Sequence, residues 1–202
     1  MVPDPIPSTR SRPVIIRPHD PRWHAEYVGI AAAMRIAIGD HATRIDHIGS
    51  TSVAGLCAKD VIDIQVTVAD LHECTPLVGA LRGIGYRRGA TIEFDATATR
   101  PVGDSSVAKR YVREPEGERR THVHIRADGS HAQRMALLFR DYLRATPTVR
   151  EQYDTVKRRA AQLFPESIDG YMWLKDAPIQ LILEGAQLWA SAVGWAPDAD
   201  YE

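Results

Sequence analysis

The stretch from Ile48 to Val66 constrains this chain most. It carries a glycine-serine bend, Gly49-Ser50-Thr51-Ser52, and then an apolar run, Val61-Ile62-Asp63-Ile64-Gln65-Val66, broken by polar residues at alternate positions. Alternation with a period of two marks a strand, so Asp63 and Gln65 project from one face while their neighbours are buried on the sheet. Gly49 lets the backbone approach a ligand closely, and Ser50, Thr51 and Ser52 supply hydroxyls together with an N-cap for a short helix. The bend therefore reads as an anion cradle that leads into a strand bearing a carboxylate. A carboxylate beside bound phosphate repels it unless a divalent cation lies between them, so a catalytic version of this arrangement implies Mg²⁺ or Mn²⁺ at Asp63.

The rest of the chain alternates helical and strand patterns. Residues 1–13 hold four prolines with Ser, Thr and Arg, and read as a flexible tail because they cannot bury enough apolar surface to offset ordering. Trp23, Tyr27, Ile30, Ala31, Met34 and Ile38 recur at helical spacing behind Pro21, which predicts an amphipathic helix to about Ile38. A short strand over Thr43–Ile48, the bend with its short helix and the strand Val61–Val68 follow. Asp70 is placed to cap a helix that ends near Arg82, before Gly83 and Gly85. Val107–Arg113 and Thr121–Arg126 read as antiparallel strands joined across Pro115-Glu116-Gly117.

After Asp128-Gly129-Ser130 the pattern turns helical, with a break at Pro147 and a last helical stretch from Ile168 to Val193, interrupted or kinked at Pro178. The expected architecture is α+β: a mixed sheet flanked by helices, with a helical C-terminal third. One domain over 14–193, with tails at 1–13 and 194–202, suits a chain of 202 residues.

Composition narrows the function. A formal net charge of -1 offers no global attraction to nucleic acid. Two cysteines, Cys57 and Cys74, make neither a disulfide scaffold nor a zinc-finger set and fit a reducing cytoplasm, and neither has a base nearby in sequence that would make it a nucleophile. No apolar run approaches the roughly 18 residues of a membrane span, and the N-terminus has no apolar signal core. Neither a nucleic acid nor a membrane is therefore an expected partner.

Other side chains carry chemistry in this pattern. His122 and His124 lie two apart on a strand and share a face, where with Asp63 they form a candidate metal set; the alternative is a pair of hydrogen-bonded, half-buried histidines. Lys59 stands just ahead of the strand and either neutralises a phosphate or is a solvated loop lysine. Lys109 and Arg110 point to opposite faces, so at most one serves the site. Arg140 and Arg144 share a helix face able to take an acidic group, although Asp141 with Arg144 also fits a surface ion pair. Tyr153 with Lys157, and Tyr171 with Lys175, are i,i+4 pairs, each readable as a ligand clamp or as a packed ring with a snorkelling stem.

Several of these motifs together resemble the GrpB family, also called UPF0157. The resemblance spans roughly Val14 to Ala192. It rests on Pro18-His19-Asp20-Pro21-Arg22-Trp23, His47-Ile48-Gly49-Ser50-Thr51-Ser52-Val53, Gly55-Leu56, Ala58-Lys59, Ile62-Asp63-Ile64, Gly85-Tyr86, Thr121-His122-Val123-His124 and Phe139-Arg140-Asp141-Tyr142-Leu143-Arg144. Tyr153 with Lys157, and Tyr171 with Lys175, complete it. It implies the nucleotidyltransferase superfamily with its polymerase-β-like palm, and kinship to a domain fused to dephospho-CoA kinase in some bacteria. It also implies that at least one of these helical Tyr and Lys pairs reaches nucleotide phosphates and sugar.

The chain departs from an active superfamily member at two points. Gln65 stands where a second carboxylate is usual, and the neighbouring strand offers His122 and His124 where a third is usual. A neutral amide adds no charge, and imidazole suits Zn²⁺, Mn²⁺ or Ni²⁺ better than Mg²⁺.

The leading expectation is a nucleotide-binding protein that transfers a nucleoside monophosphate to, or adenylates, a small acceptor. Its cofactor would be a nucleoside triphosphate, ATP by expectation, with Mg²⁺ or Mn²⁺. Gly49, Ser50, Thr51 and Ser52 would hold the triphosphate together with Lys59, Arg140, Lys157 and Tyr171. Asp63, Gln65, His124 and Lys175 would form the catalytic set, and Asp63, His122 and His124 the metal set. Two alternatives stand beside it: a non-catalytic regulatory module binding a nucleotide or a CoA precursor, and a metal-dependent hydrolase built on Asp63, His122 and His124.

Overall fold

The structure, a computed structural model, describes residues 11–89, 93–95 and 100–197. The first helix, α1 (Arg22–Ile38), starts after Pro21, and Asp20 supplies a carboxylate oxygen to the Arg22 N–H. β1 (Arg44–Ile48), the bend, and β2 (Ile62–Val68) follow, then α2 (Thr75–Gly83) and a two-residue β3 (Arg87–Arg88) that the sequence did not announce. The remainder is β4 (Arg110–Arg113), β5 (Thr121–Ala127), α3 (His131–Ala145), α4 (Pro147–Leu163) and α5 (Ile168–Val193). The expected architecture, a mixed sheet flanked by helices with a helical C-terminal third, is what forms.

The strands run in the order β1-β2-β5-β4-β3, with β2 and β5 parallel and every other pair antiparallel. Because side chains alternate, the sheet has two unlike faces. Ile62, Ile64, Val66, Val112, Val123 and Ile125 form the apolar face, which packs with Trp23, Met34, Ile38, Leu77 and Leu81 of α1 and α2 into the main core. Burial of each such large side chain is worth roughly 1.5–3 kcal/mol.

On the opposite face the register sets Asp63 beside His122 and Arg113, and Gln65 beside His124 and Tyr111. The three C-terminal helices lie on that side: α3 packs on β1 and β5, and α4 and α5 pack on each other.

Local details differ from the sequence expectations. Ser50–Ser52 form one 3₁₀ turn with Gly49 ahead of it, and no hydroxyl caps it; Ser52 Oγ instead donates back to the Gly49 carbonyl at 2.6 Å. Asp70 does not cap α2, which begins five residues later at Thr75 behind Cys74; its carboxylate takes the His72 N–H within its own turn. Ser130 does cap α3, accepting from the Gln133 N–H. α5 passes through Pro178 as one helix of 26 residues. Within the segment read as a tail, Ser11 N–H donates to the Glu166 carbonyl and Val14 N–H to that of Pro165, which seats residues 11–14 on the turn between α4 and α5. Within the expected C-terminal tail, 194–202, Trp195 donates from Nε1 to the Asp141 carboxylate at 3.2 Å and is packed on α3, while residues 1–10 and 198–202 lie outside the described residues.

Candidate functional site

The glycine-serine bend and Asp63 meet. Gly49 has φ +69° and ψ -171°, and a methyl group built on its Cα would stand 2.5 Å from Asp63 Oδ2 and 2.9 Å from Asp63 Cβ. The missing side chain is what allows the bend to close over the carboxylate. Thr51 pins the bend from below: its hydroxyl donates to the Val61 carbonyl and lies 3.0 Å from His47 Nε2. His47 is stacked on Tyr27, with ring centroids 4.6 Å apart, and burial pushes it down to about 3, so the ring is neutral and its Nε2–H is free to donate to Thr51.

Gly49, Ser50, Thr51 and Asp63 open on a cavity of about 560 Å³ between the polar sheet face and the helices α4 and α5. His122 Nδ1 lies 3.1 Å from Asp63 Oδ1, and His124 Nε2 is 4.0 Å from the same oxygen. Burial opposes ionisation of Asp63, but the His122 hydrogen bond and the nearby His124 and Lys59 outweigh it and hold the carboxyl below its usual range. His124 goes the other way. Burial first, then Arg126 and Lys109, keep it well below the usual imidazole value, so it is a neutral ring, and Lys109 donates toward its Nδ1 at 3.4 Å. Tyr111 meets His122 edge-on and His124 at a tilt, and burial raises its hydroxyl to about 12.

Lysines line the opposite wall. Lys157, almost fully buried, donates from Nζ to the Cys57 carbonyl and sits 5.6 Å from the centre of the Tyr153 ring. Lys175 is 7% exposed and lies 4.6 Å from the centre of the Tyr171 ring. Among the described residues its ammonium has no hydrogen-bond acceptor and no ion pair. Burial, helped by the neighbouring Lys157 and Lys59, pushes Lys175 down to about 7, and burial brings Lys157 to about 8. Lys59 also faces Tyr171, 5.6 Å from its ring centre. A buried cation with no carboxylate of its own is costly, so the arrangement is suited to receive an anion.

The structure thus brings together Gly49, Ser50, Thr51, Lys59, Asp63, His122, His124, Lys157, Tyr171 and Lys175 around one cavity. Three predicted site residues are engaged elsewhere. Gln65 shares the Asp63 face, as its alternation requires, but its oxygen accepts from Arg126 at 2.6 Å and its nitrogen donates to the Gln133 carbonyl, so the amide is closed off from the cavity. Arg140 binds the His47 carbonyl, Asp141 and Asp46, which makes it a buried strut between α3 and β1. Ser52 is turned inward, and Arg144, its neighbour from α3, donates to its carbonyl.

Cys57 is buried with its thiol raised to about 11, and Cys74 is buried too, as expected of unreactive thiols. Among the described residues no group of three or more His, Cys, Asp and Glu side chains is disposed to hold a metal ion. One Asp63 oxygen already faces His122 and the other lies under Gly49, while Gln65 is occupied. This donor set does not fit the paired-carboxylate, two-metal centre of an active nucleotidyltransferase.

Several cavity residues escaped the sequence reading as site members. Tyr111 and Arg113 follow from the period-two pattern of β4 once its register with β5 is known. Arg12 and Arg120 had no signal, since one lies in a proline-rich segment and the other in a turn. No helix among the described residues is long and apolar enough to cross a membrane.

Comparison with known proteins places the architecture. A family model described as GrpB protein matches residues 13–185. A dephospho-CoA kinase of Mycolicibacterium paratuberculosis is 38% identical over 200 residues, which cover 92% of this chain and 49% of that protein. The chain thus spans about half the length of such curated relatives. A UPF0157 protein of Halalkalibacterium halodurans is 32% identical over 168 residues, 83% of this chain and 80% of that one. The crystal structure of conserved protein GrpB from Enterococcus faecalis superposes with a TM-score of 0.72 at 32% identity, covering 87% of this chain and 99% of the other.

Proposed function

The chain belongs to the GrpB family, and from that premise we propose that it binds a nucleoside triphosphate in the cavity between the polar sheet face and α4–α5. The observation that carries this reading is Lys175: a nearly buried ammonium without an acceptor among the described residues, facing the same space as the Gly49 bend. A triphosphate supplies the missing negative charge. Its phosphates would lie between Lys175, Lys59 and the Gly49-Ser50 backbone, with Lys157 held close by the Cys57 carbonyl. Tyr153 and Tyr171 offer flat apolar surface for the nucleoside.

Here the lysines, rather than two metal ions, offset the phosphate charge. The engaged amide of Gln65 favours a binding role over a two-metal transfer reaction, and the dephospho-CoA kinase name carried by longer relatives is compatible with a module that senses a nucleotide or a CoA precursor. Calorimetric titration with ATP, with and without Mg²⁺ or Mn²⁺, tests this. ATP is expected to bind in the absence of metal, and Asp63→Asn, which removes a charge that repels phosphate, should tighten metal-free binding severalfold. No heat with millimolar ATP under any condition removes the proposal. Binding that appears only with metal and is lost in Asp63→Asn would return the site to metal-bridged nucleotide chemistry, and release of pyrophosphate from ATP in the presence of candidate acceptors would identify it as a transferase.

A further inference from the structure

We propose that the mouth of the cavity holds a second phosphate site, in which Arg12 and Arg120 bind a phosphate group beyond those reached by the lysines. Only the identity of the inner ligand rests on the nucleotide reading above.

The argument follows the fate of each cation on the cavity wall. Lys109 is paired with Asp95, Arg113 with Glu114, and Lys157 with the Cys57 carbonyl. Lys175, Lys59, Arg12 and Arg120 remain; among the described residues they make no hydrogen bond and no ion pair through their side chains. They are graded by depth: Lys175 is buried, Lys59 half-buried, Arg12 and Arg120 exposed. Both arginines lie close enough to Lys59 to oppose its protonation, which makes the four groups a continuous electropositive track from interior to solvent.

Such a track presents more cationic groups than a single phosphate needs. The two arginines also rest on fixed backbone. Arg12 sits between Ser11 and Val14, which are hydrogen-bonded to Glu166 and Pro165. Arg120 lies between Thr121 of β5 and Arg119, whose guanidinium is clamped by Glu26 and Asp60. A planar guanidinium carried on held backbone, with no carboxylate partner among the described residues, suits an incoming phosphate, which it can grip with two parallel N–H bonds. Asp169, at the start of α5, also lines the cavity and disfavours an anion there, as Asp63 does deeper in, against the two arginines at the mouth.

The outer phosphate has two sources: the far end of one long polyphosphate, or a separate phosphorylated acceptor. Titration of pyrophosphate, tripolyphosphate and β-glycerophosphate into the wild type, an Arg12→Ala/Arg120→Ala double variant and Lys175→Ala separates them. The double variant is expected to lose about tenfold in tripolyphosphate affinity, roughly 1.4 kcal/mol, with pyrophosphate affinity unchanged. β-Glycerophosphate binding to pyrophosphate-loaded wild type, lost in the double variant, identifies a phosphorylated acceptor. Its absence together with the tripolyphosphate loss identifies the tail of one ligand. A double variant that binds all three probes as the wild type does, or one that loses pyrophosphate and tripolyphosphate equally, overturns the second site. Unchanged pyrophosphate binding by Lys175→Ala would instead overturn the inner nucleotide site and leave the outer one standing.

Discussion

Gly49→Ala is expected to lower the melting temperature by about 10 °C and to abolish the proposed nucleotide binding, although the change adds one methyl group. At φ +69° and ψ -171° the residue occupies a backbone region that is essentially closed to side chains, where strain costs on the order of 1–3 kcal/mol. The added methyl would also meet Asp63 at 2.5 Å from Oδ2 and 2.9 Å from Cβ. Asp63 cannot retreat easily, because its Cβ belongs to β2, paired on both sides. Either the bend moves off the sheet or the carboxylate rotates away from His122; both outcomes cost stability and alter the proposed phosphate cradle. Together the terms reach about 4 kcal/mol, which for a domain of this size corresponds to some 2–4 °C per kcal/mol. Thermal denaturation followed by circular dichroism reads the effect directly. A variant that melts within about 2 °C of wild type would show that bend and carboxylate are not in register as described.

That junction was legible in the sequence because each half rests on a local rule: a strand alternates, and a glycine permits what other residues forbid. The same alternation placed Gln65 on the correct face. It did not reveal that Arg126 and the Gln133 carbonyl claim the amide, because those partners lie some sixty residues further along the chain. Arg140 was misread for a related reason. Its i,i+4 spacing with Arg144 describes how two side chains stand on one helix, whereas which neighbour they face depends on how α3 docks against β1, where Asp46 and the His47 carbonyl wait.

The pairs Tyr153 with Lys157 and Tyr171 with Lys175 were visible as helical neighbours; that both face a single cavity is a product of the α4–α5 packing. Arg12 was hidden most completely. A proline-rich segment has no internal pattern, and its seat on the α4–α5 turn includes two backbone hydrogen bonds and the Ser11 hydroxyl accepting from the Ile168 N–H, partners that composition does not encode.

Lys175→Met should make the empty protein more stable and nearly unable to bind ATP, two changes of opposite sign from one substitution. The ammonium is buried without an acceptor among the described residues, so removing the charge while keeping the stem that packs on Tyr171 relieves desolvation, by about 1–3 kcal/mol at neutral pH and below. The same charge is what the phosphates would meet, and its loss is expected to weaken ATP binding by about 100-fold, in line with a charge-assisted contact in a sheltered site.

The pH dependence distinguishes this account from simple repacking. Lys175 titrates near 7 when folded and near 10.4 when unfolded. Between these values the unfolded chain holds a proton that the folded one has released, so wild-type stability gains with rising pH through this window. The methionine variant lacks that gain. Its stability advantage should therefore be largest below about pH 7 and should shrink steadily toward about pH 9.5, while wild-type ATP affinity falls over the same range as the empty site loses its ammonium. Chemical denaturation at a series of pH values, paired with ATP titrations, measures both slopes. A methionine variant whose stability difference from wild type does not change with pH would mean that the lysine is charged and satisfied throughout.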